Sequence, residues 1–168
     1  TGVDYTHPDL AANMWRNTNE IAGNGIDDDG NGYTDDYYGY NFVNNNGNPM
    51  DQNGHGTHVA GILGAVGNNG IGVTGVNWNV KIMALRFLDA NGKGSTSAAL
   101  KALNYAVQMG ATISNNTWTS PAYDSALEAG IRNAGLAGHI YVAAAGNLGQ
   151  NADTYKLYPG SYALDNVV

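Results

Sequence analysis

The sequence predicts an α/β protein with a doubly wound parallel sheet and helices on both faces of that sheet. The chain has 168 residues, 43% of them hydrophobic, and its second half alternates apolar strand-like runs with segments of helical length. Continuous apolar runs are typical of strands buried on both faces. Strands that alternate with helices pair in parallel through right-handed crossovers, which gives the doubly wound arrangement.

The first third of the chain favours irregular structure. Residues 11–54 are rich in Asn, Asp, Gly and Tyr, which is typical of turns and ligand-binding loops, with one short strand predicted at 40–43. A helix follows from residue 56, and its Gly61 and Gly64 form a small face that can lie close to a sheet.

Regular alternation fills the rest of the chain. The predicted order is strand, helix, strand, helix and strand, over residues 80–88, 95–110, 111–118, 120–135 and 139–146. Pro121 is expected in the first turn of the helix at 120–135, where its missing N–H costs nothing. Ligands of such sheets bind at the carboxyl ends of the strands, and the run that closes with Gly146 and Asn147 lies at such an end.

Composition argues against several classes of protein. Of the fourteen acidic residues, five lie within residues 27–36, so the formal charge of −7 is a local feature. The seven Lys and Arg are scattered, which argues against a nucleic-acid partner. No run approaches the roughly 20 apolar residues of a membrane span, and no signal peptide is recognisable. The absence of cysteine excludes disulfides and thiolate chemistry.

Two histidines mark the entrance to the first predicted helix. In the stretch NGHGTHVAG, residues 53–61, His55 and His58 are three residues apart. A zinc site would need a third protein ligand, for which Asp51 or His7 would have to approach. A general base would need one histidine held opposite a nucleophile, which suits His55, with His58 packed behind it. A purely structural histidine is the remaining interpretation.

Three motifs in order resemble those of the subtilisin-like serine proteases. HGTHVAG resembles their histidine motif, with TGVDYTHPDL before it and VAAAGN after it. The resemblance spans nearly the whole chain and implies that residues 1–168 are a partial, incomplete subtilisin-like catalytic domain. It also implies secretion and peptide-bond hydrolysis by an Asp/His/Ser triad.

The resemblance assigns roles to individual residues. His55 would be the general base, and Asn147 would donate its side-chain amide to the oxyanion. Residues 88–94 and 115–120 would form two walls that pair with an extended polypeptide substrate. Thr119 and Ser120 stand where the family usually has glycine, so they would crowd the second wall.

The family's catalytic aspartate and serine do not occur among these residues. The aspartate would directly precede Thr1, and the serine motif would follow well after Asn147. We therefore expect no proteolysis from these residues alone, and a missing C-terminal half is a candidate partner. The alternatives are a non-catalytic calcium-binding domain or truncated fragment, or a hydrolase that uses another nucleophile, such as Thr1, or a metal.

The acidic loop fits a calcium site by its spacing. DDDGNGYTDD follows the template of a calcium loop through its ninth position, with glycine at the sixth, inside an insertion at about 20–38. Position twelve is Tyr38, so the last ligand would come from Asp36, Glu20 or water. The other predicted ligands are the side chains of Asp27, Asp29, Asn31 and Asp35 and the carbonyl of Tyr33.

A second calcium site is implied by the resemblance alone. The stretch GNNGIGV, residues 67–73, looks like the family's calcium loop. Asp9 and Asn69 would supply side chains, and Gly67, Ile71 and Val73 would supply carbonyl oxygens.

Overall fold

The computed structural model describes residues 1–168 and contains three helices and four short strands. A 3-10 turn at Ala11–Asn13 precedes them. The elements in chain order are β1 (Gly39–Asn41), α1 (His55–Gly64), β2 (Ala84–Arg86), α2 (Thr96–Gln108), β3 (Ile113–Asn116), α3 (Ser125–Leu136) and β4 (Ile140–Ala143).

The chain divides into two compact units, Thr1–Ala102 and Leu103–Val168, and each unit holds one two-stranded parallel sheet. In the first unit β1 pairs with β2, and in the second β3 pairs with β4. This confirms the predicted α/β class with parallel strands.

The strands are shorter than the apolar runs that predicted them. In the run 80–88 only Ala84–Arg86 forms a ladder with β1, while Ile82 makes an isolated bridge with Met14. The apolar residues of this run outside the ladder are only partly buried, so apolar character alone does not mark the residues that pair.

The core of the first unit lies under α1. Val3, Leu10, Met14, Ala60, Ala65 and Ala84 form one buried cluster. A Cβ on Gly64 would lie 2.3 Å from Val80 Cγ1, so the helix approaches the chain before β2 at a distance that only glycine permits. The small face predicted for this helix is thus used at Gly64.

The helix predicted at 120–135 begins later than expected. The carboxylate of Asp124 accepts hydrogen bonds from the N–H groups of Ala126 and Leu127, at 2.9 and 3.1 Å, so α3 starts at Ser125. Pro121 therefore lies outside the helix, not in its first turn. A side-chain cap fixes the start more strongly than the proline, because it satisfies two amides that would otherwise lack partners.

α2 is the longest helix, with 13 residues. None of the helices combines the length and the apolar character that crossing a bilayer requires.

Candidate active site and calcium-binding loop

His55 is the first residue of α1, and its side chain is exposed. The preceding Gly54 caps the helix with φ +98°, in the left-handed region that favours glycine. The turn that carries His55 therefore depends on a glycine that has no side chain with which to cap the helix.

Three residues outside α1 cap its first turn. Asn53 Oδ1 accepts from the N–H of His55 at 3.3 Å, and Thr1 Oγ1 accepts from Gly56 at 2.9 Å. Asp51 Oδ2 accepts from the N–H of Thr57, also at 2.9 Å. The amides that a helix start leaves without partners are thus all satisfied, which fixes the backbone around His55.

The carboxylate of Asp51 accepts several hydrogen bonds from this turn. Its Oδ2 also accepts from Thr57 Oγ1 at 2.7 Å, and its Oδ1 accepts from the N–H of Asn53 at 2.9 Å. Partial burial opposes ionisation of Asp51, but the hydrogen bonds from Thr57, Asn53 and Gly54 outweigh it and hold the pKa of the carboxyl well below its usual range. Asp51 is therefore an anion at the positive end of α1.

His58 is exposed and does not pack behind His55 as the sequence suggested. The structure contains one group of three potential metal-ligating side chains, and it includes no histidine. The pairing of His55 and His58 around zinc thus receives no support from the geometry.

Asn147 follows β4 in the second unit and is exposed. Gly146 before it has φ +100°, and a Cβ at this position would lie 2.4 Å from Leu157 Cδ1. The turn that presents Asn147 therefore requires glycine.

The predicted second wall is tied down within its own unit. Ser120 exchanges backbone hydrogen bonds with Tyr158, at 2.7 and 2.8 Å, and its Oγ accepts from the N–H of Ala122 at 3.2 Å. Thr119 beside it is exposed. The Ser120 side chain thus has a local structural partner, whereas that of Thr119 faces solvent.

In the acidic loop the structure brings together Glu20, Asp27 and Asp29. One carboxylate oxygen from each lies within 4.8 Å of those of the other two. Asp27 and Asp29 were predicted ligands, and Glu20 was one of three options for the last ligand. Glu20 lies seven residues before Asp27, where the calcium-loop template begins. Only its proximity to Asp27 and Asp29 in the fold distinguishes it from Asp36 and water as the last ligand.

Glu20 is buried, with 4% of its surface exposed. Its Oε1 accepts from the N–H of Asp28 at 2.8 Å, whereas its Oε2 is buried and faces no hydrogen-bond donor. Burial raises the pKa of Glu20 to about 7, and the neighbouring Asp36 and Asp28 carboxyls add to the effect. An all-oxygen cluster with an unsatisfied buried carboxylate oxygen fits a hard divalent cation such as calcium.

The other predicted ligands have partners inside the loop. Asp36 is fully buried and accepts from the side-chain amides of Asn17 and Asn31, each at 2.8 Å. The Oδ1 of Asn31 accepts from the N–H of Tyr33. Asp35 turns away, to the amides of Gly23 and Gly25. These residues shape the loop around the three clustered carboxylates.

The predicted second calcium site brings Asp9 and Asn69 together through hydrogen bonds. Asp9 Oδ1 accepts from Asn69 Nδ2 at 2.7 Å, and Asp9 Oδ2 accepts from the N–H of Val73 at 2.9 Å. Asn69 Oδ1 in turn accepts from the N–H of Ile71. These hydrogen bonds lower the pKa of Asp9. Both carboxylate oxygens of Asp9 thus have donors, whereas Glu20 Oε2 has none. The carbonyl oxygens of Gly67, Ile71 and Val73 stay predicted ligands.

Sequence reasoning missed two residues beside His55. Asp51 was considered only as a zinc ligand, because it lies four residues before α1 and outside the N-cap position where a capping side chain is expected. Arg86 was not singled out, although it is one of two charged residues, with Lys81, in the strand-like run 80–88, and a buried charged residue is unusual.

Comparison with known proteins gives a consistent result. The sequence profile of the Subtilase family, peptidase family S8, matches residues 1–168. Subtilisin-like protease 1 of Plasmodium vivax is 41% identical over 148 residues, which are 88% of this chain and 24% of that protein. Thermophilic serine proteinase of Bacillus sp. (strain AK1) is 39% identical over 168 residues, 100% of this chain and 35% of that protein.

The solved structure of sphericase is similar to the whole chain, with a TM-score of 0.78 and 29% identity, and the match covers 49% of the sphericase chain. The chain thus spans between about a quarter and a half of the length of these proteins. The match of the family profile over all 168 residues, supported by the histidine turn and the shared fold, shows that this chain belongs to the subtilase family of serine peptidases.

Proposed function

We propose that these residues supply the general base and the oxyanion-binding amide of a subtilisin-like serine endopeptidase. The observation that carries the proposal is His55 at the first position of α1, exposed, on a turn whose leading amides are all capped. A catalytic base must stay within hydrogen-bond reach of its proton donor, and a turn fixed by several hydrogen bonds provides this.

In this reaction the imidazole of His55 removes the proton from the serine hydroxyl as its oxygen attacks the scissile carbonyl carbon. The imidazolium then gives the proton to the amine leaving group as the C–N bond breaks. The side-chain amide of Asn147 donates a hydrogen bond to the oxyanion of the tetrahedral intermediate. The serine and the aspartate of the triad belong to the family's motifs outside residues 1–168.

The proposed substrate class is an extended polypeptide, and residues 88–94 and residues 115–120 are the two segments proposed to pair with it. An antiparallel bridge between Leu88 and Gly94 stiffens the first segment, and the bridge from Ser120 to Tyr158 stiffens the second. Segments held rigid by such bridges suit strand addition by a peptide, because little conformational entropy is then lost on binding. We further propose that the whole protein acts outside the cell, because subtilisin-like proteases are typically secreted.

Calcium is the proposed cofactor, held by Glu20, Asp27 and Asp29. When bound, it supplies positive charge that offsets the mutual repulsion of the carboxylates and favours the folded loop. The buried Oε2 of Glu20, which faces no donor, supports this assignment. For the Asp9 and Asn69 site, calcium binding is proposed on the resemblance only.

A second candidate function is a calcium-binding domain without catalysis. The carboxylate cluster favours it, because the cluster does not depend on a triad. The test that separates the two is hydrolysis of a chromogenic peptide amide by a version that joins these residues to the family's aspartate and serine segments. Loss of cleavage in a His55→Ala variant supports the endopeptidase, and calcium binding without any cleavage supports the second candidate.

A further inference from the structure

A buried arginine lies beside the segment that leads to His55. Arg86 ends β2 and is 2% exposed. The salt bridge in the structure joins Arg132 and Glu128, so Arg86 forms no ion pair, and the Asp89 carboxylate interacts with it only through longer-range electrostatics. Burying a cation in this way is costly unless its hydrogen bonds are satisfied.

Neutral acceptors from two segments surround the Arg86 guanidinium. Nη1 donates to the carbonyl of Met50 at 3.1 Å, and Nη2 donates to Gln52 Oε1 at 2.8 Å. Nε donates to the carbonyl of Leu88 at 3.2 Å. The planar fork of arginine reaches all three acceptors together, whereas the compact ammonium of a lysine cannot.

The two acceptors at Met50 and Gln52 flank Asp51. Asp51 caps the amide of Thr57 and accepts from the N–H of Asn53, and Asn53 accepts from the N–H of His55. Arg86 thus holds Met50 and Gln52 in place. The residues beside them, Asp51 and Asn53, hold the turn of His55.

A second link joins the same two segments. Asn53 Nδ2 donates to the carbonyl of Ala90 at 2.8 Å. Residues 50–55 are therefore tied to residues 88–90 at two places, through Arg86 and through Asn53. Residues 88–90 are part of residues 88–94, the segment proposed as the first wall that pairs with the substrate.

We propose that Arg86 is a positioning residue that holds the turn of His55 and the wall at residues 88–94 as one rigid unit. The inference rests on the proposed function, in which His55 is the base. It predicts that loss of the guanidinium fork moves the His55 imidazole. Because misplacement of a reacting group by about 1 Å can cost about a hundredfold in rate, the loss should fall on kcat more than on KM.

The test compares Arg86→Met, Arg86→Lys and Gln52→Ala with a matched surface control, Arg132→Met. Imidazole resonances of His55 and His139 are recorded by NMR in the 168-residue chain, with thermal unfolding to establish that each variant is folded. His139 serves as an internal reference, because it is buried in the other unit and bonded to Ala111 and Ser114.

We expect Arg86→Met to shift or broaden the His55 signals and leave those of His139 unchanged, with a smaller effect in Arg86→Lys and in Gln52→Ala. Arg132→Met should change neither. If Arg86→Met does not fold, the other two variants decide. Unchanged His55 signals in every folded variant of Arg86 and Gln52 would overturn the proposal.

In the peptide-cleaving version, which joins residues 1–168 to the family's aspartate and serine segments, the Arg86 and Gln52 variants should lower kcat and leave KM near its original value, and Arg132→Met should change neither. An equal loss in both Arg86→Lys and Arg132→Met, or a change confined to KM, would contradict a positioning role. If the parent does not cleave peptides, the proposed function fails, whereas the NMR comparison still tests the link from Arg86 to His55.

Discussion

The carboxylate of Asp51 binds both polar groups of Thr57, accepting from its N–H at 2.9 Å and from its hydroxyl at 2.7 Å. Thr57 Oγ1 also accepts from the N–H of Asp4 at 2.9 Å, so the pair joins the start of the chain to α1. This relationship makes Asp51 the residue on which the geometry around His55 depends most directly.

Asp51→Ala should destabilise the fold by about 1–2 kcal/mol, because it removes a helix cap and leaves a first-turn amide without a partner. Asp51→Asn keeps one acceptor oxygen and should cost less. Chemical denaturation of the two variants and the parent measures the difference. Equal stability of the alanine variant and the parent would show that the cap contributes nothing.

The stability that Asp51 provides should depend on pH. Its pKa is lower in the folded state than in the unfolded chain, so its contribution is present above the ordinary Asp value of about 4 and is lost as the pH falls toward the folded pKa. Between pH 5 and 3 the free energy of unfolding should fall more steeply for the parent than for Asp51→Asn. Parallel curves would mean that Asp51 does not titrate differently in the two states.

Glu20→Gln should reduce the rise in melting temperature that calcium produces. The substitution keeps the shape of the side chain but removes the buried charge that faces no donor. Without calcium, at pH 8, the same variant should melt at or above the temperature of the parent, because a neutral amide is cheaper to bury than a carboxylate. Thermal unfolding with calcium and with chelator measures both effects.

Asp35→Asn is the matched comparison for the calcium site. The sequence template assigns Asp35 as a ligand, whereas in the structure its carboxylate accepts from the amides of Gly23 and Gly25. Calcium titration should therefore show a larger loss of affinity in Glu20→Gln than in Asp35→Asn. The reverse order would favour the linear template over the cluster of Glu20, Asp27 and Asp29.

Asn147→Leu should lower kcat in the peptide-cleaving version by about a hundred- to a thousandfold and leave KM nearly unchanged. This range is that of the corresponding asparagine in subtilisin itself, where the amide acts mainly on the transition state. Steady-state kinetics on a chromogenic peptide amide provide the check. A variant with a raised KM and an unchanged kcat would assign Asn147 to substrate binding instead.

Sequence patterns predicted those features of the fold that short stretches of sequence specify. The α/β class, the parallel pairing and the position of His55 at a helix start all follow from apolar runs and glycine turns. The start of α3 was wrong because the cap formed by Asp124 was not weighed against Pro121. The predicted strand lengths were wrong because apolar character does not distinguish a residue paired in a ladder from an unpaired, partly buried one.

The site was harder to predict where its contacts are distant in sequence. Glu20 meets Asp27 and Asp29 only after the loop has folded, and no linear spacing contains that information. Asp35 adopts φ +56°, and its carboxylate lies at a neighbouring turn, which the template could not foresee. Arg86 reaches Met50 and Gln52 across more than thirty positions of sequence, 36 and 34 respectively.

The proposed function depends on His55 as the base of a serine endopeptidase. The most direct measurement is hydrolysis of a chromogenic peptide amide by the version with the aspartate and serine segments restored, by its His55→Ala variant, and by residues 1–168 alone. We predict cleavage that a serine-directed sulfonylating reagent abolishes, a loss of about a millionfold in kcat in His55→Ala, as in subtilisin itself, and no cleavage by residues 1–168 alone. Peptide cleavage that persists in the His55→Ala variant, or that the serine reagent leaves intact, would contradict the account.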